Sequence, residues 1–237
     1  MTIILILLFT GQFQNKIDSL NIQIKNDPRF DLVLQLNGLF LQVGLVDSGI
    51  ALLTKFEPVV KPEERPEITF HLAENYMYQG RFLLAREKYL ETVSRYARSE
   101  IANDALEKLY LLETCRKDTV LLVRLVRCLA LRSGEPALCR DSLKNLLTTA
   151  AADHAYYYLG QVEQELGDPV EALTAFSELD RIFPGHNFHH VPLMSAELCV
   201  KLGDKKKARE ILEDLLVRDP ASIYAGQARE MLKKIKP

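Results

Sequence analysis

Leu166–Phe176 reads LGDPVEALTAF, and it places a helix stop, a helix start and a small-then-large apolar pair within one short stretch. Gly167 suits the left-handed conformation that closes a helix. Asp168 suits the cap of the next helix and Pro169 its first position, and Glu171, three residues after the cap, completes a capping-box pattern. The stretch predicts a hairpin of two helices.

The pattern recurs along the chain. Helix, glycine, helix units are read at Gly44, Gly80, Gly134, Gly167 and Gly203. Five residues after each glycine stands Gly49, Ala85, Cys139, Ala172 or Ala208, and four further on stands Leu53, Tyr89, Leu143, Phe176 or Leu212. The small residue lets two helices approach, and the large one fills the space beside it. Eight residues before each glycine come Leu36, Leu72, Val126, Leu159 and Ser195, so the preceding helix turns an apolar residue to its partner in four of five units. Phased glycines of this kind predict an array of hairpins rather than a chance bundle.

Tyr158–Pro184, YLGQVEQELGDPVEALTAFSELDRIFP, resembles the tetratricopeptide repeat. It supplies Leu159-Gly160, Gly167, Ala172, Phe176 and Pro184, with Glu163 where that family usually has Tyr. His71–Leu90 supplies Leu72-Ala73, Tyr76, Gly80, Ala85 and Tyr89. The copy around Gly203 keeps Ala196, Ala208 and Pro220 but has Ser195 for Leu, and the copies around Gly44 and Gly134 carry Asn37 and Arg127 at the small-residue position. The resemblance covers residues 30–235. It implies an all-α fold, a right-handed α-solenoid of stacked helical hairpins.

The glycine spacings are 36, 54, 33 and 36 residues, so the second exceeds the family's period by about one helix. The surplus is Ser99–Cys115, SEIANDALEKLYLLETC. Its Ser99, Ala102, Ala105 and Leu109 match Ser222, Ala225, Ala228 and Leu232 at a constant offset of 123 residues. Because a solenoid ends in a helix that covers its last apolar face, two modules are expected. One is residues 30–115 closed by helix 99–115, and the other is residues 118–235 closed by helix 222–235; a single unbroken superhelix is the alternative. The same closing Ser, Ala, Ala, Leu pattern is similar to bacterial cell-envelope repeat proteins of the Tol-Pal-associated and outer-membrane assembly type.

With 237 residues, 48% hydrophobic and 26% charged, the chain is globular rather than disordered. Thirty Lys plus Arg against thirty-two Asp plus Glu leave no overall basic surface for nucleic acid. Cys115, Cys128, Cys139 and Cys199 form no CxxC pair and no zinc spacing. Cys128 and Cys139 flank the turn at Gly134, so a disulfide there and buried free thiols both stay open. The apolar run Ile3–Phe9 is far shorter than the roughly twenty residues that cross a bilayer, so no membrane span is expected. Residues 1–20 are read either as a signal peptide, which makes the protein periplasmic or otherwise exported, or as an apolar segment packed on the first repeat of a cytoplasmic one.

Motifs for chemistry are missing. GLVDSG at Gly44 lacks the Lys of a phosphate loop, and there is no HExxH and no GxSxG. His186, His189 and His190 in GHNFHH lack a Cys or carboxylate to complete a ligand set, so this segment is read as an exposed loop and helix start. DKKKARE, Asp204–Glu210, is read as a capped, solvated helix start. No cofactor and no metal are expected, and the protein is read as not an enzyme.

Function must then come from surface. The family resemblance implies that the first helix of each pair lines a concave groove holding an extended peptide or a partner helix. Carried onto this chain, the groove positions are Phe70, Glu74, Met77 and Tyr78, then Arg124, then Tyr157 and Gln161. Leu34, Gly38, Leu41, Cys128, Leu131, Gln164, Leu193 and Glu197 continue the same faces. The family's carboxylate-clamp subtype is not expected, because Leu34, Phe70, Tyr157 and Gln161 stand where cations and Asn would be needed. The expectation is a non-catalytic protein–protein interaction scaffold, possible roles being cell-envelope assembly, a cytosolic adaptor or a non-catalytic subunit of an enzyme complex. The sequence does not set its oligomeric state.

Overall fold

The computed structural model describes residues 2–132 and 134–235, with side chains from residue 13 onward. It contains α1 (Thr2–Asn26), α2 (Phe30–Gln42), α3 (Val46–Phe56), α4 (Arg65–Tyr78), α5 (Phe82–Arg95) and α6 (Ile101–Thr114). These are followed by α7 (Thr119–Leu131), α8 (Pro136–Lys144), α9 (Ala152–Glu165), α10 (Pro169–Ile182), α11 (Val191–Lys201), α12 (Lys205–Arg218) and α13 (Ala225–Lys234). There is no strand among the described residues. The fold is all-α, as the glycine pattern predicts. The chain divides into two compact units, Met1–Glu113 and Thr114–Pro237, and in each most helices pack on their chain neighbours.

In the first unit, Ile17, Leu20 and Ile24 form one stripe of α1 and bury against Val33, Leu36 and Phe40 of α2, with Phe13 alongside. The side chains of the apolar run Ile3–Phe9 lie outside the described residues. No described helix is long and apolar enough to cross a membrane. In the second unit, Leu193, Ala196 and Cys199 of α11, Ala208, Leu212 and Leu215 of α12, and Ala228 of α13 share one core.

Four of the phased glycines are left-handed: Gly44 at φ 77°, Gly80 at 80°, Gly167 at 81° and Gly203 at 83°. Each closes its helix by the same two bonds. The Gly80 amide donates to the Met77 carbonyl (3.0 Å), and the Arg81 amide reaches back over the glycine to the Tyr76 carbonyl (2.8 Å). The matching pairs are Gly44 to Leu41 with Leu45 to Phe40, Gly167 to Gln164 with Asp168 to Glu163, and Gly203 to Val200 with Asp204 to Cys199. This double closure satisfies carbonyls that a helix end leaves open. At the elbows of Gly167 and Gly203 the next helix is then capped by a side chain: Asp168 Oδ1 accepts from the amides of Val170 and Glu171, and Asp204 Oδ1 accepts from Lys207. The reciprocal half of the capping box at Glu171 is pre-empted, because the Asp168 amide already donates to Glu163.

The elbow at Gly134 is built differently. Here the amides of both Gly134 and Glu135 donate to the Leu131 carbonyl. Arg127, at the small-residue position of α7, is exposed, and the adjacent Cys128 is buried instead. Burying a guanidinium in the helix seam would strip it of water without a partner, so α7 presents a neighbouring side chain.

Packing follows the small-then-large rule throughout. Leu53, Tyr89, Leu143, Phe176 and Leu212 are all fully buried, as are Ala85, Cys139, Ala172 and Ala208. The rule holds for the sum of two positions rather than for each. Gly160 admits the Phe176 ring, which a methyl group at that Cα would overlap. In the first hairpin the bulk is reversed: Asn37 is buried in α2, and Gly49 faces it from α3, where an added Cβ would sit 2.6 Å from Asn37 Oδ1. The four cysteines are buried and free, so no disulfide joins Cys128 and Cys139. Burial pushes the Cys139 thiol up to about 12 and the Cys115 thiol up to about 11.

Gly38 and Gly80 separate the two roles of glycine within one unit. Gly38 lies within helix α2 with open space at its Cα, so Gly38→Ala should stabilise by about 0.5–1 kcal/mol. Gly80→Ala forces a methyl into left-handed backbone and should destabilise by about 1–2 kcal/mol. Opposite shifts of the urea midpoint are expected, and shifts of the same sign would contradict the elbow. At the reversed pair, Gly49→Ala should cost about 1–3 kcal/mol in the native chain. The cost should shrink in an Asn37→Ala background, which a double-mutant cycle measures.

Candidate binding surface

On α4 the predicted face is tied to its own unit. Phe70 is buried against the ring of Tyr89 from α5, with centroids 5.6 Å apart. The Tyr89 hydroxyl donates to the Glu74 carboxylate and lies 3.4 Å from the Met77 sulfur. Lys108 of α6 sets its ammonium 4.0 Å from the same carboxylate. Glu74 and Tyr78 are half-buried, and Met77 is buried. A carboxylate held by a phenol and an ammonium is a positioning element for α4 against α5 and α6. The structure thus brings Phe70, Glu74 and Met77 together around Tyr89.

On α9 the covering comes from a loop. Gly185–His190, expected to be exposed, instead docks its Phe188 at 1% exposure. The Phe188 ring stacks on Tyr157 at 4.0 Å and 11°, and meets the edge of His154. Tyr157 is itself buried, and its hydroxyl lies 2.8 Å from His190 Nε2 while accepting from the Gln161 amide at 2.5 Å. Gln161 Oε1 accepts from Arg132 at 2.6 Å, and Arg132 also binds Glu165 at 2.6 Å. Glu165 holds the Arg132 guanidinium above its ordinary range against the opposing effect of burial. The result is one polar chain, Arg132–Gln161–Tyr157–His190, that closes over the α9 face. His186 is bonded to Asp180 at 2.8 Å, so two of the three loop imidazoles are held by side chains of this unit. Among the described residues no His, Cys, Asp and Glu group is arranged to hold a metal.

Phe188 is the residue that repeat position does not reveal. Its signal is Pro192, which occupies the first turn of α11 and prevents that helix from starting earlier. α11 consequently has 11 residues where α9 has 14, and the missing turn becomes the loop that carries Phe188 inward.

On α7 the arrangement is open. Val120 is 71% exposed, Arg124 and Arg127 are exposed, and Leu131 is half-buried. Spacings of four, three and four residues put these side chains on one helical stripe with an apolar residue at each end and two guanidiniums between. Of the remaining predicted positions, Leu34, Gly38, Leu41 and Gln164 are half-buried, Cys128 and Leu193 are buried, and Glu197 is exposed.

The partly enclosed His71 on α4 has its pKa lowered by burial, with Glu74 and Glu67 acting in the opposite sense. A lowered imidazole pKa means that the unfolded chain binds the proton first, so this group's contribution to stability is lost as pH falls below about 6.5. The first unit of the native chain should lose stability between pH 7.5 and 5.5 more steeply than that of His71→Gln. Urea unfolding of both proteins across that range checks this, and parallel curves would contradict it.

Residues 154–186 match the family model described as tetratricopeptide repeat. No curated protein matches this sequence. Among solved structures, the chain is similar to the TPR2AB domain of yeast Sti1 in its pHSP90 complex, at 14% identity and TM-score 0.39, covering 96% of this chain and 92% of that one. It is similar to the P58(IPK) TPR domain at 15% identity and TM-score 0.41, covering 97% of this chain and 61% of that one. It is also similar to the C-terminal part of a TPR repeat-containing protein of Cytophaga hutchinsonii, at 16% identity and TM-score 0.35, covering 91% of this chain and 77% of that one.

Proposed function

We propose that this protein is a non-catalytic scaffold that holds other proteins, and that the α7 stripe of Val120, Arg124, Arg127 and Leu131 is its leading contact surface. The repeat at residues 154–186 supports the scaffold reading. The observation that carries the surface is the pairing of a 71%-exposed valine with two exposed guanidiniums on one helical face. Such a face fits an acidic peptide or the acidic, amphipathic face of a partner helix: aliphatic ends supply apolar area, and guanidiniums bind carboxylates in two-pronged fashion. Gln161, bonded to Arg132 just past the end of α7 and to Tyr157 on its own helix, braces this surface from within its unit, while Arg124 is the predicted groove residue that meets the partner directly.

The apolar run Ile3–Phe9 favours an exported protein of the cell envelope over a cytosolic adaptor. N-terminal sequencing of the native protein separates the two, because a retained Met1 excludes processing.

Capture from the native cell with wild-type protein and with R124E/R127E tests the surface. Both side chains are solvated, so the variant should keep its helical circular dichroism. Acidic partners should be depleted about tenfold or more, in line with loss of charge-assisted contacts. Recovery of the same proteins in equal amount would sink the assignment.

A further inference from the structure

The elbows of the second unit form a surface of their own. The three-residue elbows 166–168 and 202–204 turn α10 back on α9 and α12 back on α11, and α10 packs on α11, so that successive hairpins stack with α9 and α11 taken in the same sense. The α9–α10 and α11–α12 elbows therefore fall at the same end of the stack. Both leave large apolar side chains in solvent: Leu166 and Val170 at the first, with Val170 56% exposed, and Val200 and Leu202 at the second.

Their charges are opposite. The first elbow carries Glu165, Asp168 and Glu171, all exposed; Asp168 is the helix cap and Glu165 shares Arg132. The second carries Lys201, Lys205, Lys206 and Lys207, all exposed, against one carboxylate at the turn, Asp204, which caps the Lys207 amide as Asp168 caps the first elbow, so this elbow keeps a clear excess of positive charge. Lys206 has Glu210 at 3.8 Å, with both side chains largely in solvent, a weak pairing.

We propose that this edge is a self-association surface whose occupant is a second copy of the same chain, laid antiparallel about a two-fold axis. An edge that is acidic at one end, basic at the other and apolar along its length is complementary to itself only when inverted. The acidic elbow of each copy then meets the basic elbow of the other, and the four aliphatic side chains of each copy are covered together. A lipid surface or a uniformly charged partner would meet repulsion at one of the two elbows. This contact is independent of the α7 stripe.

Sedimentation velocity of the full chain tests it, with charge-reversed variants checked for fold by circular dichroism. The native protein should associate at low ionic strength and weaken as salt is added. K205E/K206E makes both elbows acidic and should weaken self-association about tenfold or more. E165K/E171K makes both basic and should do the same; if it fails to fold, E171K, which leaves Glu165 and Asp168 in place, should weaken self-association by a smaller factor. An equimolar mixture of the two variants should associate where neither does alone, because every elbow then faces its opposite. V170D should weaken association without altering the mixing logic, and R124E/R127E should leave it unchanged. A native protein that stays monomeric up to about 100 µM, or one whose association ignores the reversals, would overturn the proposal.

Discussion

A single hydrogen bond reaching backward across a left-handed glycine governs how each regular hairpin is assembled. It ends the first helix at a defined residue and aims the second, so that the position five residues on is delivered to the seam and the position nine residues on to the cavity beside it. Only glycine occupies that backbone region freely. The caps at Asp168 and Asp204 act one step later, satisfying amides of a helix whose direction is already set. Where the backward bond is replaced, at Gly134, the seam changes as well: Arg127 turns to solvent and Cys128 takes the inward place.

Bulk in the seams is maintained as a sum. Gly160 with Phe176 and Asn37 with Gly49 are two solutions of one packing requirement, differing in which helix gives way. An interior packed to crystal-like density leaves no room for two large residues and tolerates no void from two small ones. This explains why the first hairpin looks irregular when its helices are read separately. Asn37 departs from the repeat pattern, and Gly49 absorbs the departure.

The hairpins, their turns and their inward residues were legible in the sequence because all follow from local backbone chemistry. Gly167, Asp168, Pro169, Ala172 and Phe176 are close neighbours in the chain and act on one another directly. The candidate surface was far less legible. Repeat position says which way the bonds of Phe70, Met77 and Tyr157 leave their helices, but not which distant side chains are laid over them. Tyr89 comes from another helix, and Phe188 arrives from a loop some thirty residues after Tyr157. The loop itself could have been anticipated from Pro192, since a proline fixed in a first turn shortens the helix behind it. That its aromatic would turn inward depended on the space above Tyr157, which no single stretch encodes.

Asn37 has one more consequence, through its partner on α4. Asn75 donates its side-chain amide to Asn37 Oδ1 at 2.7 Å inside an otherwise greasy interface between successive hairpins. Aliphatic surfaces grip almost equally well after a small slide, whereas a directional bond between two amides has only one seat. A shift of α4 by one turn along α2 would leave both amides dry and unmatched, a penalty that no rearrangement of the surrounding aliphatic side chains could offset. The pair works like a detent in a sliding mechanism, holding neighbouring layers of the stack at one stop along their shared axis.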